Sequence, residues 1–193
     1  MEPVSISLLT ICGLEELESH GERGVTHVLS IIDPHWPDPQ AFAGYRPHRR
    51  TVLRFHDIID PYPGMAMPER GHVAEILDFG RSLAAEAKGR TDGHLLVHCH
   101  AGVSRSTAAM TMLLAQVHPD EDEDRLFERL LAIRPQAWPN SVMIDFADDL
   151  LGRGGRLAAA LGRHYGRQLE RRPALAEFMR TNGRAREVER ARG

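Results

Sequence analysis

The chain has 193 residues, of which 42% are hydrophobic, with a formal net charge of −3. That length allows one domain with an appendage, or two small domains, and enough apolar residues for a full core. The charge excludes an overall electrostatic case for nucleic acid, and two cysteines, Cys12 and Cys99, exclude a disulfide framework. Met1-Glu2-Pro3 lacks the positive start of a signal peptide, and no apolar run approaches the ~20 residues that span a bilayer. A cytoplasmic protein without a membrane span is expected. Its reducing compartment would keep Cys99 free.

Ser5 to Cys12 is a short apolar run with β-branched residues and predicts a strand. Leu14 to Ser19 allows one or two helical turns. Val25 to Ile32 is nearly apolar throughout and predicts a central strand, stopped at Asp33-Pro34. Asp33 to Arg50 is rich in Pro, Gly and Asp and reads as a loop. Thr51 to Phe55 predicts a third strand. Val73, Ile76, Leu77, Leu83, Ala84 and Ala87 fall at helical spacing, with Gly89 placed as a C-cap. His94 to His98 predicts a fourth strand.

From Thr107 onward the pattern is helical. Arg125 to Ile133 is ended by Arg134-Pro135. Asn140 or Ser141 caps the next helix, with Val142, Met143, Phe146, Leu150 and Leu151 as its buried stripe. Leu157 to Leu169 is a weaker amphipathic helix, stopped at Pro173. The expected fold is α/β: a single domain with a mostly parallel central sheet of about four to five strands flanked by helices. The folded domain is assigned to 1–172 and a basic C-terminal tail to 173–193. The Arg-rich run from Arg153 to Gly193 reads as a solvated helix face or tail, with a dimer contact, an acidic partner or a nucleic-acid contact as the alternatives.

The densest chemistry lies in His98-Cys99-His100-Ala101-Gly102-Val103-Ser104-Arg105-Ser106, between the fourth strand and a helix. A loop opening a helix gathers free N–H groups and the positive end of the helix dipole into an anion site. Gly102 permits a positive φ. Arg105 adds a fork of donors that matches two phosphate oxygens. Phosphate would therefore be bound by His100, Ala101, Gly102, Val103, Ser104 and Arg105. Cys99, at the mouth of that field, is placed as a nucleophile for covalent phosphoryl transfer. The Ser106 hydroxyl is placed to hydrogen-bond its sulfur. His98 and Cys99 with His100 are too few ligands, at the wrong spacing, for a zinc site. No metal and no cofactor are expected.

The loop pattern is similar to that of the cysteine-dependent protein tyrosine phosphatases, with Cys and Arg separated by five residues. Its Ala-Gly-Val-Ser-Arg-Ser form most resembles the dual-specificity branch, and within it a bacterial tyrosine phosphatase group. Thr26-His27-Val28-Leu29-Ser30 and Arg134-Pro135 with Pro139-Asn140 resemble further segments of the family. The resemblance covers roughly residues 5 to 152. It implies a metal-independent phosphatase that acts on phosphotyrosine through a phosphocysteine on Cys99. Phosphoserine and phosphothreonine are further candidates, and a phosphorylated protein or peptide is the partner.

A leaving oxygen needs a proton. Arg54 to Pro61 offers Asp57 and Asp60. Asp57 follows the third strand at the cradle's edge and matches the family's acid, with Asp60 as the alternative. Asp33 also follows a strand, but the resemblance places the acid one strand later. By analogy Asn140 braces the loop, and His98 is read as a buried support. Pro61 to Gly71 is either a cleft wall or lid, or a surface crossover. The competing functions are a phosphate-binding pseudophosphatase, a phosphatase for lipid or small-molecule phosphates, and a sulfurtransferase or arsenate reductase. Oligomeric state and any Cys12–Cys99 disulfide stay open.

Overall fold

The computed structural model describes residues 8–86 and 93–191. The expected Gly89 cap, Ala87 and the first residues of the Ser5–Cys12 run lie outside them. Four parallel strands form one sheet: β1 (Leu8–Cys12), β2 (His27–Ile32), β3 (Arg49–Arg54) and β4 (His94–His98), in the order β1-β4-β2-β3. The expected α/β architecture with a parallel sheet is what the chain adopts. β2 and β4 occupy the centre and are buried along their whole length, as their apolar sequences require.

Strand pleating sorts the side chains onto two faces. Ile11, Leu29, Ile31, Leu53, Leu95 and Val97 enter the larger core, shared with the helices. Cys12, Val28 and Leu96 face the other side, under Leu17 and Val25. Two 3-10 segments, Leu14–His20 and Gln40–Gly44, cover that side. The second lies within the stretch read as loop.

The helices are α1 (Arg70–Glu86), α2 (Arg105–Val117), α3 (Glu123–Ile133), α4 (Ser141–Leu150), α5 (Arg156–Arg171), α6 (Leu175–Thr181) and α7 (Ala185–Arg190). Arg105 through Ala115 of α2 are all buried, which explains why its sequence is apolar or small on every side. The Asn140 side chain caps α4 by accepting from the Met143 amide at 3.2 Å, as expected. The buried face of α4 is rotated from the expected stripe. Met143, Ile144, Ala147 and Asp148 are buried, whereas Val142, Phe146, Leu150 and Leu151 are half-buried. Asp148 is drawn inward because it accepts from the Gly155 and Ala158 amides at the start of α5.

The basic C-terminal run also differs from its expectation as a solvated face or tail. Arg153 is buried and donates to the Ala115 and His118 carbonyls at the end of α2, at 2.7 and 2.9 Å. Residues 175–190 fold as α6 and α7, and Glu187 and Val188 are buried. Register explains where the chemistry gathers. Cys12 and Ser30 each pair with His98, and Ile32 pairs with Arg54. All four strands therefore end at one edge, where their following loops meet.

Candidate active site

The loop from Cys99 to Ser104 is held by its carbonyls. The His100 carbonyl accepts from the Leu14 amide at 2.8 Å. Ala101 and Gly102 carbonyls accept from the Arg134 guanidinium at 3.2 and 2.9 Å. The Val103 carbonyl accepts from the Trp138 amide at 2.9 Å, and that of Ser104 from the Ala108 and Asn140 amides. In a trans peptide the following N–H points opposite to the carbonyl. With these five carbonyls engaged on the outside, the amides of residues 101–105 turn toward the loop centre. That is the arrangement of an anion-binding nest.

Sequence supplies each anchor. Arg134 is fixed by a fork-to-fork pair with Glu16, at 2.8 and 2.7 Å, and Glu16 also accepts from the Gly13 amide at 2.7 Å. Gly102 has φ +67°, and a Cβ there would lie 2.4 Å from the Cys12 carbonyl carbon. Only glycine allows both the turn and the approach of β1.

At the loop's floor, Cys99 is 2% exposed and its Sγ lies 3.2 Å from Ser106 Oγ. Arg105 Nη1 donates to Asp33 Oδ1 at 2.6 Å and to the Phe55 carbonyl at 2.5 Å. Its Nε is buried without a partner among the described residues. The guanidinium is thus tethered at one end and keeps a donor for a ligand.

His98 lies beneath the loop, bonded to Ser30 Oγ at 2.6 Å. Ser30 accepts from Arg50 Nε at 2.8 Å. Burial lowers His98 to about 4, so the ring is neutral at pH 7. His100 sits at the rim. Its Nε2 accepts from the Asp33 amide at 3.2 Å, and its ring packs 4.4 Å from Trp36. Burial, then Arg105, lowers its pKa.

Asp57 is brought to the loop. Its Oδ1 accepts from Ser104 Oγ at 2.7 Å, from Asn140 Nδ2 at 3.0 Å and from Arg184 Nη2. Burial opposes its charge, but Arg184, then Arg105, with the Asn140 and Ser104 bonds, outweigh it. The carboxyl is held below its ordinary range. Its side chain keeps 29% of its surface exposed, so an incoming ligand can reach it. Asp60 stands apart at 59% exposure, 3.2 Å from Arg186. The following loop is closed at its base, where His56 and Ala66 exchange two bonds at 2.8 and 2.9 Å. Tyr62 and Met65 on it are exposed.

Sequence reasoning missed Glu16, Ser30 and Arg184, and treated Asp33 only as a rejected acid. Glu16 carried the signal of a residue three positions after Gly13 at a helical start. Arg184 carried none beyond Asn182-Gly183, a turn pair before a helix. Cys12 is free and its thiol is pushed up to about 12, chiefly by burial. Among the described residues no group of three or more His, Cys, Asp or Glu could hold a metal ion. Nor is any described helix long and apolar enough to cross a membrane.

No protein-family model matches the chain. It is 31% identical over 121 residues to dual specificity protein phosphatase 12 of Rattus norvegicus, covering 62% of this chain and 31% of that protein. The chain thus spans about a third of the length of the curated relatives it matches. Human DUSP28 superposes with a TM-score of 0.53 at 19% identity, covering 79% of this chain and 99% of that one. DUSP15 superposes with a TM-score of 0.53 at 23% identity, covering 89% and 96%. The superpositions show that the chain shares the α/β fold of these structures, and its sequence similarity to dual specificity protein phosphatase 12 is confined to a stretch of 121 residues.

Proposed function

We propose that the chain is a cysteine-dependent phosphatase that hydrolyses phosphotyrosine monoesters, with phosphoserine and phosphothreonine as further substrates. One observation carries this reading. Five consecutive carbonyls are tied outward around Cys99, leaving inward amides and the free Arg105 Nε to receive three phosphate oxygens.

In the first step Cys99 sulfur attacks phosphorus in line. The S–P bond forms as the P–O bond to the leaving group breaks, and Asp57 gives its proton to the departing oxygen. Loop amides and Arg105 stabilise the equatorial oxygens throughout. In the second step water attacks the phosphocysteine and passes a proton to Asp57. The P–S bond breaks, and Ser106 donates to the departing sulfur. Loop and arginine supply the positive charge that this sequence of steps requires.

A second reading, phosphate binding without turnover, is favoured by the ion pair that holds Asp57 as its anion. Hydrolysis of p-nitrophenyl phosphate separates the two, measured with excess EDTA on wild type and Cys99→Ser. The phosphatase reading predicts turnover that survives EDTA and disappears in the variant, which still binds vanadate. A wild type that binds vanadate but releases no nitrophenol would establish the second.

A further inference from the structure

A buried arginine from the C-terminal segment reaches the candidate acid, and the two-step chemistry leaves it unused. Arg184, between α6 and α7, is 7% exposed. Its Nη2 contacts Asp57 Oδ1, and donates to Ser104 Oγ at 2.9 Å and to the Asp57 carbonyl at 3.3 Å. Its Nη1 donates to both oxygens of Glu187, at 3.0 and 3.1 Å. Glu187 is 1% exposed. It also accepts from the Ser141 amide at 2.8 Å and from Trp138 Nε1 at 2.7 Å. The Trp138 amide in turn holds the Val103 carbonyl. The guanidinium is therefore locked from behind as well as in front.

Its backbone is equally determined. Gly162 and Gly166, one turn apart on α5, leave room for the end of α7. A Cβ at Gly162 would lie 2.9 Å from the Arg190 carbonyl oxygen, and one at Gly166 3.3 Å from that of Ala191. Gly183, at φ +74°, makes the turn that presents Arg184.

We propose that Arg184 is a positioning residue of the active site, holding the Asp57 carboxylate against Ser104 and biasing it toward the proton-accepting role of the second step. This inference rests on the phosphatase reading above. The groups facing Asp57 from each side define the balance. Arg184, backed by Glu187, comes from the C-terminal segment. Arg105, paired with Asp33, and Ser104 come from the loop and α2. Asn140 comes from the cap of α4, His100 from across the loop, and His56 precedes Asp57 in the chain. Without Arg184 the anion keeps one cation and two neutral donors, and burial then favours the protonated acid.

The sign follows directly. A carboxyl held as an anion loses its donatable proton at lower pH, so freeing it extends proton donation to higher pH. The test is the pH dependence of kcat/KM for phenyl phosphate, a poor leaving group, and p-nitrophenyl phosphate. It is run on full-length wild type, Arg184→Met and Arg184→Lys. For phenyl phosphate the descending alkaline limb of Arg184→Met should move up by about one pH unit, the low end of what a contacting opposite charge supplies. Arg184→Lys should restore most of the wild-type limb. The p-nitrophenyl limb should move less. Superimposable limbs in active variants would overturn the inference.

A second arm needs no variant at Arg184. In full-length Cys99→Ser, the Asp57 carboxyl followed by carbon NMR should titrate below the ordinary aspartate range. Titration within or above that range would overturn the inference. Lack of turnover by wild type on both substrates would defeat the phosphatase reading instead, and the same NMR titration repeated with Arg184→Met added then decides the arginine's effect on Asp57: an unmoved titration would overturn the inference.

Discussion

Mild acid should destabilise this protein long before its carboxylates titrate. His98 and His164 are fully buried, and burial lowers each from 6.5 to about 4. His98 is bonded to Ser30, and His164 Nε2 lies 3.0 Å from the Ala137 carbonyl. Above pH 6.5 neither ring is protonated, folded or unfolded, so neither affects stability. As the pH falls below 6.5 the unfolded chain takes up two protons that the folded chain refuses, and stability drops. The loss is complete below about pH 4, where both states are protonated. At about 1.36 kcal/mol per pH unit, each ring accounts for about 3 kcal/mol. Two such losses are comparable to the whole stability of a typical domain, about 5–15 kcal/mol. His20, His94 and His100, also lowered chiefly by burial, act in the same direction. Urea denaturation followed by tryptophan fluorescence at pH 7.0, 6.0, 5.0 and 4.5 measures the effect. His164→Gln keeps a donor for Ala137 without the titration and should remove up to about 3 kcal/mol of the acid loss. A free energy flat between pH 6.5 and 4.5, or a loss undiminished in His164→Gln, would show that the buried histidines do not set the acid limit.

Other changes probe the site itself. Asp57→Ala should lower kcat by about 10²–10⁴ for phenyl phosphate and much less for p-nitrophenyl phosphate; that pattern in Asp60→Ala instead would move the acid to Asp60. Gly102→Ala places a Cβ 2.4 Å from the Cys12 carbonyl carbon at a left-handed φ. It should cost about 1–3 kcal/mol or more in urea and weaken vanadate binding. Glu187→Ala takes away one of the two carboxylates paired with the buried Arg184 and removes the acceptor of Trp138 and Ser141. A loss of about 3–5 kcal/mol is expected, with hydrogen exchange reporting the release of α7.

The parts of the site that lie close together in the chain were legible from residue types alone. Cys99, Gly102, Arg105 and Ser106 sit within eight consecutive positions, where fixed spacing forces a strand, a turn and a helix start. Asn140 was legible as a cap because capping is a local demand. Asp57 depended on its place after a strand, and parallel pairing brings that edge to the loop. The bracing ion pairs were not legible. Arg134 and Glu16 are 118 residues apart, and Arg184 and Asp57 are 127 apart. In a C-terminal run where arginine recurs, nothing local marks Arg184 as the buried one. The α4 stripe was misread because periodicity ranks residues by hydrophobicity. Asp148 goes inward as an acceptor for the start of α5.

The proposed phosphatase chemistry turns on a covalent phosphocysteine at Cys99. Ser106 Oγ, 3.2 Å from the sulfur, should matter most when the P–S bond breaks, so Ser106→Ala should slow the second step and let the intermediate accumulate. Rapid mixing of Ser106→Ala with p-nitrophenyl phosphate, followed by acid quench and peptide mass analysis, tests this directly. A burst of about one nitrophenol per enzyme is expected, with a phosphoryl group on the peptide carrying Cys99. Steady turnover with no burst, no phosphoryl on that peptide and undiminished activity in Cys99→Ser would contradict a phosphocysteine intermediate.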